Sequence, residues 1–307
     1  MPLLSICIPT YNRAQFLDVS LRELISQASE ISDSIEIVIS DNASTDSTKQ
    51  VVEDAQKKYP AIVYSCNSEN LGYDRNLDAA IRKSSGEFCW FLSDDEILLS
   101  GWLSVLIDLL ITHPDIAYLC FDVRGNSIRK FPTERITLLE DWEELLREYG
   151  VVGWLISQNI IARKWYPKNT EIYHGNMWIH LSIIFDIISH RPLLLLDQSI
   201  TKGQRNVCTW AKWGKGLFTY TSLKNIITSW KNIGYTSATI DRVLSEFLVS
   251  FPKILISAKI QWLPLSRENF SFIQKEYRLY WFQRFLWTCI FFLPVSPYIY
   301  LRKLLWK

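Results

Sequence analysis

The 307 residues contain neither G-x-G-x-x-G nor G-x-x-x-x-G-K-[ST], so no glycine-rich loop of the usual kind is present to cradle phosphates. An excess of one charge is lacking too. The formal net charge is +1, which gives no general attraction to nucleic acid. The six cysteines (Cys7, Cys66, Cys89, Cys120, Cys208, Cys289) include no C-x-x-C pair, which argues against a zinc site or a disulfide framework. Four of them sit in apolar runs, where a free thiol behaves as a small hydrophobe, and the pattern suits a reducing compartment. No internal repeat, low-complexity segment or clear linker breaks the chain. The opening MPLLSICIPTYNR lacks a basic start followed by a long apolar region, so no signal peptide and a cytosolic location are expected. The uncharged run FLWTCIFFLPVSPYIYL (285–301) holds Pro294 and Pro297 and falls short of the roughly 20 apolar residues that a membrane span needs.

What is present describes a globular chain. Hydrophobic residues make up 48% and charged residues 21%, and the length suits one large domain or two small ones. Short runs rich in Ile, Val and aromatics read as buried strands at Leu3–Ile8, Ile35–Ser40, Ile62–Cys66, Glu87–Leu92 and Ile116–Phe121. Between them, 14–27, 46–58, 73–84 and 101–112 carry apolar residues at helical spacing. Strand–helix alternation of this kind implies a parallel sheet with helices on both faces, whose ligands bind beyond the carboxyl ends of the strands. Further on, the pattern predicts helices at 140–148 and 176–189, an apolar segment Val151–Ala162, a buried run Leu193–Leu196, and three amphipathic helices over 217–282.

Four polar clusters fall at the expected strand ends: Pro9-Thr10-Tyr11-Asn12-Arg13, Ser40–Asp46, Asn70–Asn76 and Ser93–Glu96. Together they place aromatic, amide, carboxylate and guanidinium groups along one edge. That is the inventory needed to grip a base, a ribose and a diphosphate, and Pro9, Thr10, Tyr11, Arg13, Asp41, Asn42, Asn70, Arg75, Asp94 and Asp95 are its candidate residues. Asp41 can accept from a base or a ribose, and equally can cap the helix starting near Asp46, although Ser44 and Asp46 are nearer to it. Adjacent carboxylates such as Asp94-Asp95 repel unless a cation separates them, and all-oxygen ligation favours Mg²⁺ or Mn²⁺. An acidic turn capping the helix near Gly101 explains the pair equally well when it is taken alone. Arg75 is placed to neutralise a diphosphate or to brace Asp94, or else to be an ordinary surface arginine.

The motifs SICIPTYNR, EIVISDNASTDST, NLGYDRNLDAAI and GEFCWFLSDDEIL, in this order, resemble the family 2 glycosyltransferases. The resemblance implies the GT-A fold, a Rossmann-like, mostly parallel sheet with helices on both faces. Within that family the wording is similar to the abequosyltransferase-like enzymes of lipopolysaccharide O-antigen assembly. It implies a nucleotide-diphosphate sugar as donor, possessing a deoxy- or dideoxyhexose, and a glycan acceptor that is lipid-linked. Transfer would be metal-assisted and inverting. Pro9 and Tyr11 would flank the base, Asp41 would bind base or ribose, Arg75 would lie beside the carboxylates, and Asp95 would hold the metal while Asp94 meets the ribose or Arg75. Many members carry Asp-x-Asp-Asp at the end of the fourth strand, whereas this chain reads Leu92-Ser93-Asp94-Asp95. Asp95 must then supply most of the ligation.

For the general base, EIYHGNMWIHLSIIF offers Glu171, His174 and His180, of which His180 aligns best and titrates in the right range. His180 is equally read as a helix histidine packed beside Trp178 and Ile184. The stretch 201–216, with Lys202, Arg205, Trp210 and Trp213 among glycines, reads as a lid with a basic clamp on the diphosphate, or as a surface loop.

The expected organisation is a glycosyltransferase domain at 1–216, divided into a donor half (1–122) and an acceptor half (123–216), then a helical extension at 217–307. Over 267–307 seven basic residues face two acidic ones, a net +5 that leaves about −4 for residues 1–266. Aromatics beside Arg284, Arg302, Lys303 and Lys307 predict that the tail 283–307 lies on the inner face of the cytoplasmic membrane, the alternatives being ordinary core packing and a span. The rival readings are an α/β nucleotidyltransferase and a catalytically silent assembly partner on the same fold.

Overall fold

Strand β1 (Leu4–Thr10) lies in the interior of the parallel part of the sheet, with side chains buried on both faces. Leu4, Ile6 and Ile8 point to one side, Ser5 and Cys7 to the other, and all are buried. On the first side they meet Leu17, Leu21 and Leu24 of helix α1 (Ala14–Ala28) and Ile35, Ile37 and Ile39 of strand β2 (Ile35–Asp41). Each such buried side chain contributes about 1.5–3 kcal/mol relative to an exposed one. The computed structural model describes residues 1–121, 136–140, 142–146, 155–189, 191–204 and 226–245.

The chain divides into two compact units, Met1–Val207 and Cys208–Lys307. In the first, helix α2 (Thr48–Lys58) follows β2 and packs on α1, and strand β3 (Ile62–Cys66) forms the edge. Helix α3 (Tyr73–Lys83) packs against β1 and β2. Strands β4 (Phe88–Phe91) and β5 (Glu96–Leu98), helix α4 (Trp102–Thr112) and strand β6 (Tyr118–Phe121) come next. Strand β7 (Ile136–Leu139), a single turn α5 (Trp142–Glu144), strand β8 (Asn159–Ala162), helix α6 (Ile179–Ile188) and strands β9 (Leu193–Leu196) and β10 (Thr201–Gly203) complete the unit. The main sheet has the order β3-β2-β1-β4-β8-β6-β9-β7, and β10 pairs with β5 in a small second sheet.

Strands β3, β2, β1 and β4 are all parallel neighbours, so their four carboxyl ends lie on one edge. The other half departs from a parallel sheet. Strand β8 runs antiparallel to both β4 and β6, and β7 runs antiparallel to β9. At the opposite edge, Gly86 lets the turn before β4 press onto β1: a Cβ there would stand 2.5 Å from Ser5 Oγ and 2.8 Å from Ser5 N. Buried Glu36 closes this end by accepting from Ser5 Oγ (2.5 Å), Ser85 N (2.5 Å) and Ser85 Oγ (2.9 Å).

Two expected helices are shorter than their patterns suggest. The apolar spacing over 176–189 yields a helix only from Ile179, because Met177 takes a left-handed φ of 65° that interrupts it. Within 140–148 the helical residues described are 142–146. Cys7, Cys89 and Cys120 are buried free thiols, whereas Cys66, at the end of the edge strand, is exposed. Of the 217–282 region, residues 226–245 are described, with helical structure at 226–229 and 237–245. The tail 283–307 and most of the expected lid, including Arg205, Trp210 and Trp213, lie outside the described residues. Among the described residues no helix is long and apolar enough to cross a membrane.

Candidate active site

Register brings the four strand ends together. Thr10 pairs with Asp41, Asp41 with Cys66, and beyond the last β1–β4 pair the Leu92 N–H donates to Cys7 O at 3.0 Å. The chain then turns at Ser93, so Asp94 and Asp95 leave the strand rather than continue its alternation.

The two carboxylates are held by side chains from β1 and the turn after it. Thr10 Oγ1 donates to Asp94 Oδ2 at 2.8 Å, and Arg13 Nε lies 2.9 Å from Asp94 Oδ1. Arg13 Nη2 donates to Asp95 Oδ2 at 2.5 Å, while Ser93 Oγ donates to Asp95 Oδ1 at 2.5 Å. One guanidinium therefore bridges both acids, and its Cζ sits 5.0 Å from the centre of the Phe16 ring. Asp94 is only 4% exposed. Burial pushes its carboxyl up to about 7, against the opposing pull of Arg13 and Thr10, and the Asp95 charge adds to the rise. The peptide is fixed as well: Ser20 Oγ donates to Asp94 O at 3.0 Å, and Gln204 N donates to Asp95 O at 2.9 Å.

Arg13 thus stands where Arg75 was expected. Arg75 is exposed on α3 and makes no ion pair with a described residue, so it does not brace Asp94. The reason is local. The backbone of Asn12 takes a φ of 50°, pinned by Asn12 N donating to Ser44 Oγ (2.8 Å) and Thr45 N donating to Asn12 Oδ1 (2.7 Å). That turn sends residue 13 across the ends of β1 and β4.

Asp41 does not cap α2. Asp46 serves that helix, accepting from Thr48 N at 3.0 Å, and its other oxygen accepts from Ala14 N at 3.0 Å at the start of α1. Asp41 instead accepts from Ser44 N (2.9 Å) and from the Tyr64 hydroxyl (2.7 Å), which leaves it buried at the floor of the strand ends. Asn42 is the hub of the next loop. Its Nδ2 donates to Asn70 Oδ1 (2.8 Å) and Gly72 O (3.3 Å), and its Oδ1 accepts from Leu71 N (2.8 Å) and Asn67 Nδ2 (3.2 Å). Asn42 and Asn70 are therefore committed largely to each other and to the loop. Pro9 and Tyr11 are partly buried beside these ends.

His180 is 3% exposed in the first turn of α6, with its ring centroid 5.8 Å from Trp178 and 6.4 Å from Tyr73. Its Nδ1 lies 3.4 Å from the Tyr73 hydroxyl, so the histidine joins α6 to the start of the helix that follows the Asn70 loop. Glu171 is exposed, and His174 Nε2 lies 3.6 Å from Asp78 Oδ2. Lys202 is exposed in β10.

Two structural residues within the motifs escape sequence reasoning. Asp74 accepts from Gly175 N (2.8 Å) and Met177 N (2.9 Å) and lies 3.4 Å from Ile179 N, which seats the loop before α6 on α3. Burial raises its carboxyl while these backbone donors favour its charge. Asn76 ties β1 to β2, donating to Ser40 O at 3.0 Å and Thr10 O at 3.3 Å. An acid in the first turn of a helix was the one available signal for Asp74, and it points equally to a simple dipole effect.

For a divalent cation the donor set is suitable in kind, being oxygen throughout, and Asp95 is the more accessible acid with 23% of its side chain exposed. Among the described residues no group of three His, Cys, Asp or Glu side chains forms a metal cluster.

The profile of the family described as Glycosyl transferase family 2 matches residues 5–186. The abequosyltransferase RfbV of Salmonella typhimurium is 42% identical over 119 residues, covering 38% of this chain and 35% of that protein. A GalNAc(5)-diNAcBac-PP-undecaprenol beta-1,3-glucosyltransferase of Campylobacter jejuni is 40% identical over 108 residues, 35% of this chain and 34% of that protein. The chain thus matches about a third of the length of these curated relatives. Among solved structures, the mannosyltransferase PcManGT of Pyrobaculum calidifontis, in complex with GDP-Man and Mn²⁺, superposes with a TM-score of 0.57 at 17% identity, over 99% of this chain and 87% of that one. That likeness identifies the fold as GT-A.

Proposed function

The chain belongs to glycosyl transferase family 2, and from that membership we propose that it moves a sugar from a nucleotide-diphosphate donor to a hydroxyl of a glycan acceptor. The observation that carries this is the cluster Thr10–Arg13–Asp94–Asp95 at the shared edge of four parallel strands, where ligands of such sheets bind. Asp41 takes the base or ribose, with Pro9 and Tyr11 flanking it, and Asn42 and Asn70 shape the wall. Asp95 holds Mg²⁺ or Mn²⁺ through oxygen, with Asp94 behind it, and Arg75 and Arg205 face the diphosphate. A bound divalent cation would offset the charge that develops on the departing nucleotide. His180 serves as base or as an acceptor contact, and direct displacement inverts the anomeric centre.

The relatives support a finer reading. One is named an abequosyltransferase and another acts on an undecaprenol-linked glycan. We take the donor sugar as a deoxy- or dideoxyhexose and the acceptor as a lipid-linked glycan in O-antigen or other surface polysaccharide assembly. The protein then works in the cytoplasm at the inner face of the membrane, attached through its basic, aromatic tail.

Thermal shift with UDP-, GDP-, CDP- and dTDP-sugars, with and without Mn²⁺, tests the donor site. A matching donor at a hundred times its Kd stabilises the fold by about 2.7 kcal/mol. No shift with any nucleotide class sinks the proposal. Unchanged transfer in Asp95→Ala would sink the metal role alone, and continued membrane pelleting after deletion of 283–307 would sink the role of the tail.

A further inference from the structure

We propose that Arg13 is a resident cation of the Asp94–Asp95 pair, whose departure a divalent cation and a diphosphate promote together. This rests on the reading of the site as one for nucleotide diphosphates. All four carboxylate oxygens are engaged by protein groups. Arg13 Nε is 2.9 Å from Asp94 Oδ1, Thr10 Oγ1 donates to Asp94 Oδ2, Ser93 Oγ donates to Asp95 Oδ1, and Arg13 Nη2 donates to Asp95 Oδ2. The guanidinium thereby contacts an oxygen of each acid, including Asp95, the acid proposed to hold the cation. It is held there deliberately by the fold, between the turn at Asn12 and the Phe16 ring.

Charge decides the order of events. With both acids ionised, one guanidinium leaves the pair one negative charge in excess, whereas a divalent cation balances it. A divalent cation arriving alone must nonetheless displace Arg13 from two carboxylates at once. A diphosphate supplies a new partner, because its oxygens match the planar fork as well as a carboxylate does. Cation and diphosphate therefore help each other to bind, and the linkage is reciprocal. Arg13 ends on the diphosphate, while Asp95 ends on the metal.

The test is Mn²⁺ binding followed by electron paramagnetic resonance, which needs neither the true sugar nor the acceptor. Full-length wild type, Arg13→Gln and Arg13→Lys are titrated with Mn²⁺ alone and again with UDP, GDP, CDP or dTDP. Mn²⁺ alone should bind Arg13→Gln roughly tenfold more tightly than wild type, the usual size of such a coupling, with Arg13→Lys between them. The matching nucleotide should tighten Mn²⁺ binding roughly tenfold in wild type and much less in Arg13→Gln. Equal affinity of wild type and Arg13→Gln for Mn²⁺ alone overturns the proposal. So does Mn²⁺ binding to Arg13→Gln that survives a second change, Asp95→Ala. Should Arg13→Gln fail to fold, the Arg13→Lys comparison decides, since lysine keeps the charge without the fork. If no nucleotide binds wild type with or without Mn²⁺, the donor site itself is refuted, and the titrations without nucleotide still judge Arg13.

Discussion

The carboxylate of Asp74 accepts the backbone N–H of Met177 at 2.9 Å, joining helix α3 to a loop 103 residues further along the chain. With Gly175 N at 2.8 Å, it holds the left-handed turn at Met177 and so sets where α6 begins and where His180 sits. Asp74→Ala removes the carboxylate that accepts from these partly buried N–H groups and should lower stability by about 1–3 kcal/mol. Hydrogen exchange at Gly175 and Met177 should quicken in the variant more than exchange in β1 or β2. Uniform quickening across the sheet would show that Asp74 supports the fold generally and not this loop.

Asn42 carries four side-chain hydrogen bonds to residues 67–72. Asn42→Ala should cost about 1–3 kcal/mol by chemical denaturation, because the Leu71 N–H and the Asn67 side-chain amide lose an acceptor while Asn70 Oδ1 keeps only the Gly72 N–H. Asn42→Asp keeps the acceptor side alone and should fall between. A loss below the error of the measurement would mean that water replaces these contacts.

How far the sequence reveals this depends on which partner is local. Strands β1 to β4 and helices α1 to α4 are legible because short apolar runs and helical spacing alternate, and the motifs stand where the strands end. The antiparallel course of β8 is not legible, since Asn159–Ala162 reads only as part of the apolar segment Val151–Ala162 and its partners β4 and β6 are distant. Arg13 and Arg75 look alike as candidates beside a diphosphate. Only the turn at Asn12 decides between them, and a positive φ at a non-glycine residue leaves little trace in composition. Asp74 escapes notice because its partners are backbone N–H groups, which every residue but proline offers.

Gly86 is a position where the structure permits no side chain. A Cβ would press on Ser5 Oγ at 2.5 Å and on Ser5 N at 2.8 Å, and the strand backbone cannot swing aside as a side chain can. The same contact carries the Gly86 N–H to Ser5 Oγ at 2.8 Å, beside buried Glu36. Gly86→Ala should therefore destabilise by about 1–3 kcal/mol, as overpacking does, despite the usual entropic gain from removing a glycine. Gly203 is the control, because a Cβ there meets nothing within 4 Å. Equal effects of the two alanine substitutions would contradict the close approach.

Asp94 should make the protein less stable as pH rises toward neutrality. Burial lifts its carboxyl to about 7 in the folded chain, whereas an unfolded aspartate titrates near ~3.9. Between those values the unfolded chain releases a proton that the folded chain retains. The unfolded state then binds fewer protons, and stability falls with increasing pH by up to about 1.4 kcal/mol per unit. Below about pH 4 both states are protonated and the full contribution is present, while above about 7 both are ionised and it has been lost. Other acids titrate in the same range, so the informative quantity is the difference between wild type and Asp94→Asn, whose side chain cannot ionise. Urea denaturation in a chelating buffer from pH 4.5 to 8 should show wild type losing stability relative to Asp94→Asn as pH rises, with the difference levelling off above neutrality. A constant difference across that window would mean that the Arg13 guanidinium, not burial, sets the charge of Asp94.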